Sequence, residues 1–534
     1  MTWWRSLIEP LGQTAFVPTP EPMAEADQSN LRDVEILATA AFSAGRHGEA
    51  MGLMRSAIAH APTAELYLSL GGMLGLLGRH ADAAEQLQRA VNLRPDLPRA
   101  HNGLGVALEA LDEYERAIGS YRRAIHLQPR YPEAHNNLAN ALRKAGRVAE
   151  AVAGYHRAIS LRPAYADAYS GLGVALVEQR RVTEAIKYFE RAVAIQPDHA
   201  DAHLNFAGAL LLSGDFERGW REYEWRWRSS QQRPLAPAFA QPQWDGSDLA
   251  GRTILLHAEQ GFGDTFQFVR YVPLVARRGG QVMLSVQRPL AQILRGVEGA
   301  ATVVPSGEEP LNFDLHAPLM SLPRIFGTTI GTVPAFVPYL RPEPDLVRKW
   351  HHTIRDRAGY RIGINWQASN TRWGRPRSLP LEAFAVLAAI PGVRLICLQK
   401  GAAEQQLHTV GIAIEVLQGL DESSGAFLDT AAVMQHLDLV ITVDTSIAHL
   451  AGALGVPVWV ALPFASEWRW LLDRDDTPWY PTMRLFRQPC PGDWFGVLHE
   501  MAIAVNRQLS DNSHSNAASP QTPRCRYFEV EDQD

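Results

Sequence analysis

The stretch VDTSIAHLAGALGVPVW, residues 443–459, decides how the second half of this chain folds. The six residues before it are mostly apolar and predict a buried strand, and its end runs into a second apolar segment that closes at Leu462. Between them, apolar residues recur at helical spacing from Ile447 to Leu454, and Gly455 ends the helix. The order strand, tight turn, helix, strand is typical of a parallel α/β sheet.

The turn at the start of this helix combines an acid, two hydroxyls and an imidazole, in Asp444, Thr445, Ser446 and His449. A helix N-terminus offers unpaired N–H groups and a positive dipole end, which suit a phosphate or another polar ligand. The same residues also fit an ordinary turn in which Thr445 or Ser446 caps the helix. The local pattern fits both interpretations equally well.

The bulk composition narrows the class of protein. The chain has 534 residues and a net charge of −6, which predicts several domains and argues against general affinity for nucleic acids. Its 3 cysteines are too few and too scattered for a disulfide framework or a zinc site, so we expect a reducing, cytoplasmic setting and no bound metal. No apolar run approaches the roughly 20 residues of a membrane span, and the N-terminus lacks the pattern of a secretory signal.

The first half repeats with a period of 34 residues. Prolines close successive units, and small residues alternate with large ones at fixed offsets, as expected where two helices cross closely. The repeating columns are Pro95, Pro129, Pro163 and Pro197; Ala83, Ala117, Ala151 and Ala185; Leu70, Leu104, Leu138, Leu172 and Phe206; Leu87, Tyr121, Tyr155, Phe189 and Tyr223; and Gly71, Gly105, Ala139, Gly173 and Ala207. The last unit carries an aromatic-rich second helix, Trp220–Trp227, which we interpret as a cap that packs on the following domain.

This pattern resembles the tetratricopeptide repeat, whose arrays form superhelices with a concave face that binds extended peptides or protein partners. Asparagines on the first helices are candidates for lining that face, because a side-chain amide can pair with both groups of a peptide backbone. They fit a solvated surface equally well. The candidate groove residues are Asn102, Asn136, Asn137 and Asn205.

The second half alternates short apolar runs with helical patterns, which predicts parallel sheets. The predicted strands are Thr253–His257, Gln281–Val286, Ala301–Val304, Phe313–Leu315, Arg361–Trp366, Val393–Leu398, Ile412–Val416, Leu437–Thr442 and Pro457–Leu462. The predicted helices include Phe266–Arg277, Leu290–Arg295, Leu381–Ala389 and Ala426–Gln435. In such sheets ligands bind beyond the carboxyl ends of the strands.

Three loops fit that location: the turn around Asp264, a polar loop with Arg375 and Arg377, and the turn from Asp444 to His449. Arginines and a helix N-terminus supply fixed donors for a diphosphate, and a carboxylate opposite them can take a proton from an attacking hydroxyl. Together they can move a sugar from a nucleoside diphosphate to an acceptor.

Residues 250–506 resemble the heptosyltransferase-type glycosyltransferases of bacteria, which have the GT-B architecture. The matching motifs are Gly263-Asp264 after the first strand, Asp444-Thr445-Ser446-x-x-His449, Ala451-Gly452-Ala453 and Pro457. The sequence departs from the family at Ser446, where the family has glycine, and in carrying arginines where the family has a phosphate-binding lysine. Repeats placed before a GT-B half also resemble the architecture of protein O-GlcNAc transferases.

The resemblance implies a metal-independent, inverting transfer with no cofactor, using a nucleoside-diphosphate sugar as co-substrate and a protein or glycan as acceptor. It implies these roles: Asp264 as catalytic base; Arg375, Arg377, Asp444, Thr445, Ser446 and His449 at the donor diphosphate; and Gln260, Gly263, Asn365 and Arg469 elsewhere in the cleft. The alternative is a non-enzymatic scaffold, whose repeats recruit partners and whose second half is a degenerate nucleotide-binding fold.

The expected fold class is therefore α plus α/β, a helical repeat solenoid followed by a GT-B-like pair of Rossmann-like domains. The expected segments are 1–30, flexible; 31–228, the solenoid; 229–247, a linker; 248–345, the acceptor-side domain; 346–508, the nucleotide-sugar-side domain; and 509–534, a disordered tail.

Overall fold

A computed structural model describes residues 25–229, 239–308, 312–368 and 377–515 of the chain. Parts of the predicted flexible N-terminus, linker and tail lie outside these residues, as does Arg375. The chain divides into two compact units. The first contains the residues up to Ala209 and Trp225–Arg233, and the second contains Leu210–Glu224 and the residues from Pro234 onward.

The first unit consists of helices in antiparallel pairs. These are α1 (Glu25–Ser43), α2 (His47–His60), α3 (Ala64–Leu76), α4 (His80–Leu93), α5 (Pro98–Ala110), α6 (Tyr114–Leu127), α7 (Pro132–Lys144), α8 (Val148–Leu161), α9 (Ala166–Glu178), α10 (Val182–Ile195) and α11 (Ala200–Ser213), whose last turn belongs to the second unit. Because α1 begins at Glu25, residues 25–30 are helical, whereas the sequence predicted a flexible segment.

The predicted core columns of the repeats are confirmed. The alanine column is fully buried, and the large column that includes Tyr121 and Tyr155 is also buried. Within one repeat the small residue of the first helix lies directly on the large residue of the second. A Cβ atom added to Gly105 would lie 2.5 Å from the Tyr121 ring, too close for any real contact. The absence of a side chain at Gly105 therefore sets how closely α5 and α6 pack.

The second unit contains two separate sheets, both entirely parallel. The strands are β1 (Thr253–His257), β2 (Gln281–Val286), β3 (Ala300–Pro305), β4 (Leu315–Pro318), β5 (Tyr360–Asn365), β6 (Val393–Cys397), β7 (Ile414–Glu415), β8 (Leu439–Val443), β9 (Val458–Leu462) and β10 (Met483–Arg487). The order in the first sheet is β3-β2-β1-β4, and in the second β10-β9-β8-β5-β6-β7. The parallel α/β organisation predicted for this half is therefore present.

Helices precede, connect and follow these strands. They are α12 (Phe216–Tyr223), α13 (Phe262–Phe268), α14 (Val272–Ala276), α15 (Leu322–Ile325), α16 (Pro344–Arg355), α17 (Ala385–Ala388), α18 (Leu428–Met434), α19 (Ser446–Ala453) and α20 (Trp494–Ser515). Because α20 continues to Ser515, residues 509–515 are helical and do not belong to a disordered tail.

Two predicted helices differ from the structure because of proline. The helix predicted for residues 266–277 begins earlier, at Phe262, and breaks at a 3₁₀ turn before α14, where Pro273 occupies the first turn. The helix predicted for residues 290–295 is only a 3₁₀ turn at Arg288–Leu290, which contains Pro289. Proline has no N–H group to donate, so it starts a helix but does not continue one.

The aromatic-rich segment is divided between the units, and its part up to Glu224 belongs to the second unit. Helix α12 places Phe216 and Trp220 against the α/β region, with the Trp220 ring 5.1 Å from that of Trp468 and 6.2 Å from that of Phe268. Tyr223 lies 6.3 Å from Trp468 in the same cluster. These contacts make α12 part of the core of the second unit.

The Gly105–Tyr121 contact predicts opposite effects for two glycines in the first unit. Gly105→Ala forces the buried Tyr121 ring to move, and overpacking of this kind costs about 1–3 kcal/mol. Gly119→Ala on α6 meets no atom within 4 Å and gains about 0.5–1 kcal/mol of helix propensity. Hydrogen exchange of peptides covering residues 98–127 should show faster exchange for Gly105→Ala and slower exchange for Gly119→Ala. Equal exchange in both variants would contradict the proposed packing.

Candidate functional site

The centre of the six-stranded sheet is the point where its strand order reverses. Strands β5 and β8 are neighbours there, although β6 and β7 come between them along the chain. In open parallel sheets ligands bind at such a switch point, beyond the carboxyl ends of the strands. Asn365 ends β5, and the turn from Asp444 follows β8, so both predicted elements lie at this point.

A hydrogen-bond network connects the ends of three strands at this edge. The Thr442 and Thr445 hydroxyls both donate to Asn365 Oδ1, at 3.2 and 3.1 Å, and the Asn365 amide donates to Gln399 Oε1 at 3.0 Å. Gln399, which follows β6, also accepts the backbone N–H of Gln367 at 2.9 Å. Asn365 thus connects Gln399 to the Thr445 turn, because its amide nitrogen binds Gln399 and its amide oxygen binds both threonine hydroxyls.

The Thr445 turn opens helix α19 in the way that an N-cap does. Thr445 Oγ1 accepts the backbone N–H of Ile447 at 3.3 Å, which supports the capping interpretation of this residue. Ser446 occupies the first helical position and is half-buried. Its hydroxyl has no hydrogen-bond partner within the described parts of the chain. Of the two hydroxyls at this helix N-terminus, Thr445 is therefore engaged as a cap and Ser446 is not.

Across from this turn, α13 of the other sheet presents Asp264. The carboxylate of Asp264 accepts the backbone N–H of Gly261 through Oδ2 at 2.9 Å, so it caps its own helix. The neighbouring Gly263 lies against α19, because a Cβ atom added there would be 2.7 Å from Cδ2 of His449. Glycine at this position allows the two turns to meet.

Five charged side chains join the two turns in an alternating series. Asp264 pairs with Arg469, which donates to Glu467 Oε2 at 2.8 Å. The other oxygen of Glu467 lies 3.5 Å from Arg377 Nη1, and the same nitrogen lies 3.3 Å from Asp444 Oδ2. We call Asp264, Arg469, Glu467, Arg377 and Asp444 the charge chain. In this series three carboxyl groups alternate with two guanidinium groups.

Burial and neighbouring charges shift the proton affinity of this group. Burial raises the pKa of Asp444, Glu467 raises it further, and Arg377 and Arg469 oppose the shift. Burial also disfavours the charged form of Arg469, but the carboxylates of Asp264 and Glu467 more than compensate and raise its pKa. Arg469 therefore stays charged, whereas the net effect on Asp444 is a pKa above its ordinary value.

His449 is enclosed by aromatic rings rather than by carboxylates. Its Nδ1 lies 3.0 Å from the Tyr480 hydroxyl, and its ring stacks on Trp470 at 5.4 Å. Burial lowers the pKa of His449 well below its usual value, and Arg469 lowers it further. The imidazole is therefore neutral, so it contributes packing and hydrogen bonding rather than positive charge to this site.

Several residues of the site were missed from sequence. Glu467 connects the two arginines, and Gln267 Oε1 accepts Nε of Arg469 at 3.0 Å. The amide nitrogen of Gln267 is buried and has no hydrogen-bond partner among the described residues. Tyr223 is buried, as its core column predicts, and its hydroxyl also accepts the Gln260 amide at 3.0 Å. The alternation of charged and aromatic residues in Glu467-Trp468-Arg469-Trp470 was the sequence feature that could have indicated Glu467.

Arg270 is a further buried cation that the sequence did not single out. It donates to the carbonyl oxygens of Gln267 and Pro334 at 2.7 and 3.3 Å, and to the Tyr339 hydroxyl at 2.9 Å. Its guanidinium lies 4.4 Å from the centre of the Tyr480 ring. Since Tyr480 also contacts His449, Arg270 helps to fix the wall behind that histidine.

In the first unit three of the four predicted groove asparagines, Asn102, Asn137 and Asn205, form bonds between successive repeats. Asn137 donates to Asn102 at 3.2 Å, and Asn205 donates to the Ser170 hydroxyl at 3.3 Å. Asn102 has no exposed surface, and Asn136 and Asn137 are also buried, at 5% and 9% exposure. Asn102 therefore does not lie on an open surface. Its Nδ2 atom and Oδ1 of Asn136 have no partner among the described residues.

Possible metal ligands gather at one place in the described part of the chain. His351, His352 and Asp356, on α16 and directly after it, bring ligand atoms within 4.8 Å of one another, and all three are exposed. None of them belongs to the charge chain. Among the described residues, no helix is both long and apolar enough to cross a membrane.

Comparison with known families identifies the first unit. The family profile of the tetratricopeptide repeat matches residues 75–134 and 136–200. This part of the chain is a tetratricopeptide repeat array. Such an array is a scaffold for protein interaction. The parallel α/β region that follows is compatible with a nucleotide-binding fold.

One curated relative is Protein FlbA of Caulobacter vibrioides, to which the chain is 29% identical over 330 residues. The alignment takes in 57% of this chain and 54% of FlbA, so the chain spans about half the length of this relative. The crystal structure of MamA is 28% identical, with a TM-score of 0.29, over 31% of this chain and 96% of MamA. A thermophilic TPR protein of Thermus thermophilus is 23% identical, with a TM-score of 0.30, over 35% of this chain and 99% of its own.

The buried neutral His449 predicts a pH dependence of stability. Folding depresses the pKa of His449, so below a pH of about 6.5 the unfolded chain binds a proton that the folded protein does not. The free energy of unfolding therefore decreases as the pH falls, by up to about 1.4 kcal/mol per pH unit. The raised pKa of Asp444 acts in the opposite direction, but it is common to the proteins compared. Chemical denaturation between pH 7 and 5 should show a shallower loss for His449→Gln than for the wild type.

Tyr480→Phe provides the matched control, because it removes the hydroxyl beside His449 and leaves the imidazole buried. This variant should keep the wild-type slope. Parallel curves for the wild type and His449→Gln would contradict the neutral state inferred for this histidine.

Proposed function

We propose that the chain is a glycosyltransferase of the GT-B type, which moves a sugar from a nucleoside-diphosphate sugar to a protein or glycan acceptor. The observation that carries this proposal is the charge chain. It brings Asp264 of one parallel sheet to two arginines and a helix N-terminus at the switch point of another. Those are the groups that a reaction with a diphosphate leaving group requires.

The donor diphosphate would occupy the N-terminus of α19. Ser446 and the first backbone N–H groups of the helix face this position, and Arg377 lies within 3.3 Å of the adjoining Asp444. Guanidinium groups bind phosphate oxygens through paired hydrogen bonds, and the helix dipole favours negative charge there. Asp444 and Thr445 would then hold the arginine and the turn in place. Arg375 remains a predicted ligand that the described residues do not include.

The reaction would proceed without a metal. The oxygen of the acceptor hydroxyl forms a bond to the anomeric carbon, while the bond from that carbon to the phosphate oxygen breaks. The bonding electrons go to the nucleoside diphosphate, whose negative charge the arginines and helix N–H groups stabilise. The proton of the hydroxyl passes to Asp264, which acts as general base. Attack from the face opposite the leaving group inverts the anomeric configuration.

The repeat array would bind the acceptor protein. Tetratricopeptide repeats provide extended surfaces for protein partners, which supports a protein acceptor or a glycan carried on one. The unpartnered amide atoms of Asn102 and Asn136 are buried, so the accessible binding residues would be their neighbours on the first helices.

A second candidate is a scaffold whose α/β half no longer catalyses. The engagement of both arginines by carboxylates favours it, because Glu467 contacts Arg377 and Arg469 and so competes with a phosphate ligand. The two candidates differ in whether a sugar nucleotide is consumed.

Binding of a nucleoside diphosphate is the first test. In a thermal-shift series with UDP, GDP, ADP and their sugar derivatives, we expect at least one to raise the unfolding temperature of the wild type, because a ligand that binds only the folded state stabilises it. Arg377→Ala should weaken that binding by about tenfold or more, since it removes a charged hydrogen-bond donor. Arg474→Ala removes an arginine from an exposed ion pair and should bind normally. No stabilisation of the wild type by any compound would overturn the donor site.

Turnover is the second test. Asp264→Asn should reduce the release of nucleoside diphosphate from the stabilising sugar nucleotide by about a hundredfold or more, the usual contribution of a general base. The variant should still bind that nucleotide, because asparagine keeps the size of the side chain and the cap to Gly261. Wild-type turnover in Asp264→Asn would exclude Asp264 as the base, and loss of binding would mean that it holds the donor instead.

A further inference from the structure

Arg469 forms an ion pair that joins the two sheets of the second unit. It lies in the 3₁₀ turn Trp468–Trp470 that follows β9, and its side chain is only 8% exposed. Its guanidinium reaches across to α13, where it binds both Gln267 Oε1 and Asp264 Oδ1. It also donates to Glu467 beside it. A single side chain therefore links the candidate base to the candidate diphosphate site.

The ion pair with Arg469 adds a second contact to the carboxylate of Asp264. One oxygen accepts the N–H of Gly261 and the other accepts Arg469, so both are engaged. A general base needs a carboxylate oxygen within hydrogen-bond distance of the hydroxyl that it deprotonates. In this arrangement a guanidinium cation lies against the oxygen of Asp264 that the Gly261 N–H leaves free.

The other contacts of Arg469 show what would draw it away. Glu467 uses one oxygen for Arg469 and the other for Arg377, so both arginines converge on the same carboxylate. A diphosphate carries more negative charge than one carboxylate and offers more oxygens to a guanidinium group.

The backbone is strained two residues after Arg469. Leu471 has a φ of 52° and a ψ of −164°, a region that residues with side chains avoid. The segment is thus held in a strained form beside the exchangeable ion pair.

We propose that Arg469 is a positioning residue that exchanges Asp264 for the donor diphosphate, so that seating the donor frees the base. Without a diphosphate, Arg469 holds Asp264 in a closed ion pair. With one, the guanidinium moves to the phosphate oxygens and leaves an oxygen of Asp264 open to the acceptor hydroxyl. The acceptor can then react only after the donor is in place. This inference rests on the proposed donor site and adds a binding order to it.

The exchange predicts a gain of affinity that a merely structural ion pair would not give. Because Asp264 competes with the ligand for Arg469, Asp264→Asn should bind inorganic pyrophosphate and nucleoside diphosphates about tenfold tighter than the wild type. Arg469→Gln should bind them about tenfold more weakly. Titration calorimetry at one ionic strength measures both.

The double variant separates exchange from simple repulsion. Removing the negative charge of Asp264 would favour any nearby anion, so repulsion alone gives the same gain whether or not Arg469 is present. Exchange requires Arg469, and therefore Asp264→Asn combined with Arg469→Gln should bind no more tightly than Arg469→Gln alone. If the gain persists in the double variant, the exchange is overturned.

Controls come from the exposed pair of Arg474 with Asp476, where Arg474→Gln and Asp476→Asn should leave binding unchanged. Arg469→Lys keeps the charge without the planar fork, and it replaces Arg469→Gln if that variant does not fold. Wild-type binding without a gain in Asp264→Asn would overturn the exchange and leave the proposed function standing. Absence of binding in the wild type and in Asp264→Asn alike would overturn both.

Discussion

A parallel strand delivers the loop that follows it to one edge of its sheet, and the second unit depends on this constraint. Every strand in its two sheets runs parallel, so each strand ends at the carboxyl edge of its own sheet. Asn365, Gln399, Asp444 and Glu467 lie far apart along the chain, but each of them ends or follows a strand of the same sheet. The strand order places β5 beside β8, and Asn365 can therefore orient the Thr445 turn through one amide.

Charge brought to this edge must then be balanced, because isolated buried charges are costly. The molecule meets this requirement by alternating acids and arginines from Asp264 to Asp444. Each arginine lies on a carboxylate, and in the proposed function a phosphate would replace that carboxylate. The same contacts that stabilise the unliganded site therefore define how it would respond to a diphosphate, and Glu467 is central to them because both arginines share it.

The repeat unit follows a simpler rule. Glycine or alanine on one helix faces a large side chain on the next, and the contact between Gly105 and Tyr121 shows how little space remains. Polar side chains such as Asn102 and Asn137 connect neighbouring repeats inside this packing. Their amides bond within the array, whereas the sequence pattern fitted a partner-facing position and a solvated surface equally well. Tyr223, the last residue of the large column, differs from the others because its hydroxyl accepts the side-chain amide of Gln260 in the α/β unit.

The sequence by itself determined the repeat period, the buried columns and most of the strands, because these depend on local periodicity and on side-chain size. Two helices were mispredicted where Pro273 and Pro289 interrupt an apolar pattern. The motifs around Asp264 and Asp444 marked both turns of the candidate site. Only the tertiary structure decided their partners: Glu467 between the arginines, Arg469 on Asp264, and a neutral His449 against Trp470. Those contacts join residues up to 205 positions apart, and a distance of that kind leaves no periodic trace in the sequence.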